Sequence, residues 1–77
     1  MNSSRQLEMY VVYDKTTIDY PGKYVIRRFV DGAPDMEPLI VGDTLEGVLS
    51  ALPPGLSKLA RSPYDEPVIL EVWLGIS

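Results

Sequence analysis

Three runs of the chain carry apolar residues at strand spacing, and one carries them at helical spacing. Leu7-Glu-Met-Tyr-Val-Val-Tyr13 is rich in β-branched and aromatic residues, which fit a pleated, half-buried surface. It is apolar on both sides, with Met9, Val11 and Tyr13 on one face and Tyr10 and Val12 on the other, so it is expected centrally in a sheet. Residues Tyr24–Val30 read as a second strand. The intervening segment ends in Asp19-Tyr-Pro-Gly22, where Pro21 and Gly22 suit the central positions of a type II turn. The two runs therefore predict an antiparallel hairpin with a long loop. In the last run, Val68-Ile-Leu-Glu-Val-Trp-Leu74, alternation places Val68, Leu70, Val72 and Leu74 on one face and Ile69, Glu71 and Trp73 on the other.

The middle of the chain is punctuated differently. Asp31-Gly-Ala-Pro-Asp-Met-Glu-Pro38 interrupts the strand pattern, and Leu39-Ile-Val41 fits a short further strand with Pro38 at an edge. Asp43-Thr-Leu-Glu46 has the form of a capping box, with Thr44 as the alternative cap. Leu45, Val48, Leu49 and Leu52 follow at spacings of three and four, predicting one helix that Pro53-Pro54-Gly55 stops at about Leu52 or sooner. Residues 53–67 read as an irregular connection tacked to the core by Leu56 and Leu59. The sum is β-β-(β)-α-β: a single α+β domain over residues 1–77, with residues 1–6 expected to fray. Its mainly antiparallel sheet has three or four strands, with one helix packed on one face. One short helix covers only one face. Alternation puts Leu70 and Val72 under that helix and leaves Trp73, Ile69 and Glu71 on the open side.

Composition narrows the chemistry. The 77 residues include no His and no Cys, which removes the commonest general base, thiol nucleophiles, disulfides and the usual transition-metal ligands together. Stability must come from packing, or from packing plus a partner, because a chain this short has only a small core. The net charge of −4 and the scattered basic residues argue against nucleic-acid binding, which needs a basic stripe to neutralise phosphates. No apolar run reaches the roughly 20 residues of a membrane span, and the N-terminal residues carry no signal-like apolar core. The expectation is a cytoplasmic protein with neither nucleic-acid nor membrane partners.

Each candidate site has a plainer reading. Asp31, Asp35 and Glu37 share one loop and Asp65 and Glu66 another, but paired-acid catalysis needs two carboxyls facing across a cleft, and loop carboxylates are mostly solvated. The first group also lacks the ligand order of a calcium-binding loop. Gly42 and Gly47 flank the helix start without the Lys and spacing of a phosphate loop. Serines 50, 57, 62 and 77 have no histidine to activate them, and Ser57 with the adjacent Lys58 is a poor pair because neighbours point apart. Prolines 53, 54, 63 and 67 suit a stiff connection better than a recognition segment. No residue is therefore assigned to catalysis, to a cofactor or to a metal. What remains is a set of aromatic and arginine side chains of the kind enriched at binding hot spots. Trp73, Ile69, Glu71, Tyr10, Arg27 and Arg28 form the candidate interface. Arg27 and Arg28 are adjacent in a strand, so one must point to the open face, with Glu71 as its expected ionic neighbour.

Several of these segments taken together are familiar. Tyr10-Val-Val-Tyr-Asp14, Asp19-Tyr-Pro-Gly-Lys-Tyr-Val-Ile-Arg-Arg28, Asp43-Thr-Leu-Glu46, Leu52-Pro-Pro-Gly-Leu56, Arg61-Ser-Pro-x-Asp65-x-Pro67 and Glu71-Val-Trp-Leu74 span most of the chain. They resemble a family of small uncharacterised bacterial and phage-like proteins. The resemblance implies one domain and an origin in a bacterium or mobile element, and it carries over no functional residue. The functional expectation is a small non-enzymatic interaction module that binds itself or another protein, in its concrete form a regulator or inhibitor encoded by a mobile element. The alternative is an accessory subunit or small-ligand carrier with the ligand held between the sheet and the 53–67 loop, and an enzyme ranks third.

Overall fold

The computed structural model of the chain describes residues 6–60 and 67–76. Its elements are β1 (Leu7–Tyr13), β2 (Tyr24–Val30), β3 (Ala33–Pro34), β4 (Ile40–Gly42), α1 (Leu45–Leu49), β5 (Ser57–Lys58) and β6 (Ile69–Ile76). The strands form one antiparallel sheet in the order β3-β2-β1-β6-β5, and β4 pairs with β2 further along the same edge as β3. Among the described residues the expectation of three or four strands is corrected to six, of which only β1, β2 and β6 are long. The protein is thus mostly β, with one short helix. The expected fraying of residues 1–6 concerns a segment of which only Gln6 is described, and Ser62, Pro63, Asp65 and Glu66 lie outside the described residues.

Turn chemistry explains the connections. Lys23 N–H donates to Tyr20 C=O at 3.2 Å and Gly22 has φ of 81°, so Pro21 and Gly22 occupy the turn positions their types suit. β1 and β2 pair as the expected hairpin, from Glu8 opposite Val30 to Tyr13 opposite Val25. Asp31 and Gly32 both have positive φ, 52° and 87°, and make a two-residue hairpin that turns β2 straight into β3. An Asp-Gly pair between strands favours such a turn because both central residues need positive φ. The short strand expected at 39–41 is β4, one residue later.

Thr44, not Asp43, caps α1: its Oγ1 accepts from Gly47 N–H at 3.0 Å, while Asp43 forms an ion pair with Lys23. The helix is only five residues long, but its turn continues as Ala51 and Leu52 N–H donate to Val48 and Leu49 C=O. The whole expected stripe therefore packs inward. Val48 is fully buried with Tyr10, Val12 and Ile26, and Leu45, Leu49, Leu52, Leu56, Leu70 and Trp73 pack around them. Leu59 stays exposed and does not tack the connection to the core.

The main departure from simple alternation is in β6. Val12 lies opposite Glu71 but Tyr13 lies opposite Ile69, so Leu70 is an extra residue in the ladder, a β-bulge. One extra residue reverses the facing of everything beyond it. Leu70 packs on the helix side as alternation predicts, whereas Glu71 and Trp73 follow Val12 and Tyr10 onto that same side. Val72 and Leu74, expected in the core, pair with Val11 and Met9 on the opposite face.

Candidate interaction face

The register divides the long strands into two surfaces. Tyr10, Val12, Ile26, Arg28, Glu71 and Trp73 share the face beneath α1. Met9, Val11, Tyr13, Val25, Arg27, Phe29, Ile69, Val72 and Leu74 share the other. Among the described residues no helix or second sheet lies on this second face. The loop between β1 and β2 reaches it, where Thr17, Asp19 and Tyr20 join Tyr13, Val25 and Arg27 around a hollow of about 200 Å³, and Leu59 and Ala60 border it beside Ile69 and Val72. Most of the face is half-exposed, but Val25 is buried beside the hollow and Val11 is shut off between Arg27 and Val72 directly opposite it.

The six candidate interface residues are therefore not one surface. Ile69 and Arg27 belong to the uncovered face as expected. Placing Trp73 and Glu71 there is corrected: the bulge at Leu70 turns both onto the helix side, where Trp73 packs against the core. Tyr10 is buried on that side, and Arg28 lies directly opposite it. The expected pairing of Glu71 with an arginine is corrected too. Glu71 accepts from Trp73 Nε1 at 2.9 Å and pairs with Lys58 Nζ at 3.5 Å. Met9, Val11, Tyr13, Val25, Phe29, Val72 and Leu74 are the residues the candidate set missed. The double apolar pattern of β1 pointed to Met9 and Val11, and nothing in the sequence marks the bulge that exposes Val72 and Leu74.

On the helix side the polar groups form a tied network. Tyr10 donates its hydroxyl to Glu8 Oε1 at 2.6 Å, and Arg28 Nε donates to Asp35 Oδ2 at 2.9 Å. Burial, followed by the Glu8 carboxylate, raises the Tyr10 hydroxyl above its ordinary pKa. The Asp35 carboxylate holds Arg28 still more firmly in its charged form. Asp14 is held below the usual carboxylate range by the Thr16 hydroxyl and N–H, and Asp43 by Lys23. Lys15 lies over the Tyr24 ring, 5.3 Å from its centre.

The uncovered face is built otherwise. Arg27 is the one charged residue its long strands contribute, and its guanidinium donates to the Asp35 carbonyl at 3.2 Å instead of to a carboxylate. Asp19 borders the same hollow without forming an ion pair with Arg27. Thr17 Oγ1 is buried beside them with no hydrogen-bond partner. Ile18, on the same loop, is 95% exposed. A second hollow of about 360 Å³ lies on the helix side between Leu49, Leu52, Pro53, Pro54, Leu56 and Trp73. Among the described residues, no three acidic side chains converge as a metal site and no helix is long and apolar enough to cross a membrane. No protein-family model matches the chain, and no curated protein or solved structure matches it.

Proposed function

We propose that the chain is a small non-enzymatic interaction module whose sheet face opposite α1 binds a protein surface. The observation that carries this reading is the row structure of that face: Met9, Phe29 and Leu74 in one row, Val11, Arg27 and Val72 in the next, with one charged group among them. Apolar groups around a lone arginine match the composition of interface cores better than that of a wetted surface. Among the described residues six hydrophobic side chains are buried, two of them, Val11 and Val25, already on this second face, so covering the rest of it adds stability the fold has little other source for. Several polar groups of kinds that serve chemistry are instead engaged within the structure: Asp43 with Lys23, Asp35 with Arg28, Glu71 with Lys58 and Trp73. The same pairing leaves few cations for phosphates, in line with a protein partner and not a nucleic acid. The concrete biological form of this reading is a regulator or inhibitor encoded by a mobile element and acting in the cytoplasm.

A photoreactive residue placed at Phe29, and in a control chain at the exposed Pro54, tests the reading in bacterial cells. Discrete protein adducts from position 29, absent from position 54 and abolished by Leu74→Glu, are expected. Absence of adducts from position 29 overturns it. The hollow beside Trp73 favours a second reading, a carrier of a small apolar ligand. Trp73 emission should then shift on titration with such a ligand, and an unchanged spectrum removes this alternative.

A further inference from the structure

We infer that the partner on the uncovered sheet face is a second copy of this chain, packed face to face about a two-fold axis that crosses the strands; this rests on the reading of that face given above. Shape is the first argument. The face has a thick end, where the β1–β2 loop rises beside Tyr13 and Val25, and a bare end at Met9, Phe29 and Leu74. An axis between the sheets and across the strands exchanges the two ends, so each copy's loop lies over the other's bare end. A two-fold interface must be self-complementary in this way. The same exchange gives Ile18, a large apolar side chain left 95% exposed, an apolar seat on the partner's bare end.

Charge is the second argument. The face and its loop bring one cation and one anion to the same hollow, Arg27 and Asp19, unpaired with each other. Arg27 is drawn toward the Asp35 carbonyl, on the β3 edge and toward the bare end, where the partner's Asp19 arrives. Two reciprocal ion pairs result. A chain of net charge −4 meets its copy with least repulsion on the surface that carries fewest carboxylates.

Area is the third argument. The three long strands and the short β3, β4 and β5 beside them, at about 3.4 Å per residue and about 4.8 Å spacing, make a little under 500 Å² of sheet, on the order of 900 Å² over two copies. That is near the lower bound for a specific interface, which places the dimer among weak, transient associations.

Sedimentation equilibrium of the purified chain, from low micromolar to millimolar, tests this. A monomer–dimer equilibrium is expected. Ile18→Asp, a change in an exposed loop that leaves the monomer folded, should weaken it at least about tenfold. Arg27→Asp and Asp19→Arg should each weaken it by several-fold, and the double variant should recover most of the loss. A monomer at every concentration, indifference to Ile18→Asp, or failure of the double variant to recover overturns the second copy. If a monomeric chain still gives adducts with another protein from position 29, the self-pairing is wrong and the interaction module stands. If position 29 gives no adducts, both fall.

Discussion

Trp73→Ala separates the two accounts of the last strand. Alternation alone makes this side chain a surface group whose loss leaves the monomer intact. In the folded chain it packs against the core beside Leu49, Leu52 and Leu56, and its indole N–H donates to Glu71 at 2.9 Å. Truncating a fully buried tryptophan costs about 3–5 kcal/mol, and for a partly buried one about half to two-thirds of that, or about 2–3 kcal/mol. The lost hydrogen bond falls within this range, because Glu71 keeps Lys58 as a partner. Against a total of about 4–12 kcal/mol for a chain of this length, the variant loses a large share of its stability. Tm should fall by roughly 8–24 °C. Trp73 is the single tryptophan, so unfolding of both proteins is followed by far-UV circular dichroism in urea and on heating. The expected result is a lower midpoint at an unchanged urea slope. A variant within about 0.5 kcal/mol of the wild type would refute the bulge and the facing drawn from it.

Other outcomes follow from particular contacts. A Cβ at Gly42 would sit 2.9 Å from Cγ1 of the fully buried Val48, so Gly42→Ala should destabilise by about 1–2 kcal/mol in urea titrations. Gly32→Ala meets open space and suffers only from its φ of 87°, so it should cost about 1 kcal/mol in the same assay. Tyr10 has a raised folded pKa, so its contribution is complete below the unfolded value near 10.0 and is lost as pH rises through the folded one. Alkaline melts of the wild type should show this loss, and Tyr10→Phe should remove that part of the pH dependence. Asp43 is shifted the other way by Lys23, so its contribution is present above the ordinary carboxyl value of 3.8 and is lost as pH falls through the lower folded one. Asp43→Asn should flatten the acid limb of the stability curve, and salt should have the same direction of effect on the wild type.

Much of this fold is legible in the sequence where local chemistry decides it. The two apolar faces of β1 placed it centrally, Pro21-Gly22 supplied the turn, and the stripe from Leu45 to Leu52 named the helix face that packs. Asp31-Gly32 carried the signal of a tight hairpin, yet the following prolines obscured the two-residue strand it leads into. The bulge was not legible. Tyr13 pairs with Ile69 only because the two strands and Leu70 settle their register in three dimensions, and no residue type in Val68–Leu74 announces an insertion. That one residue decides which side chains the uncovered face presents. Period-2 reading therefore placed Ile69 on the uncovered face and left Arg27 and Arg28 as alternatives, but exchanged Trp73 and Glu71 for Val72 and Leu74.

The central claim, that a second copy of the chain covers the sheet face opposite α1, is tested most directly by methyl spectra of the labelled chain recorded from dilute to concentrated. The account predicts concentration-dependent shifts at Met9, Val11, Val72, Leu74 and Ile18, with Leu45, Val48, Leu49 and Leu52 unmoved. Spectra that do not change, or shifts confined to the leucines around Trp73, would contradict it.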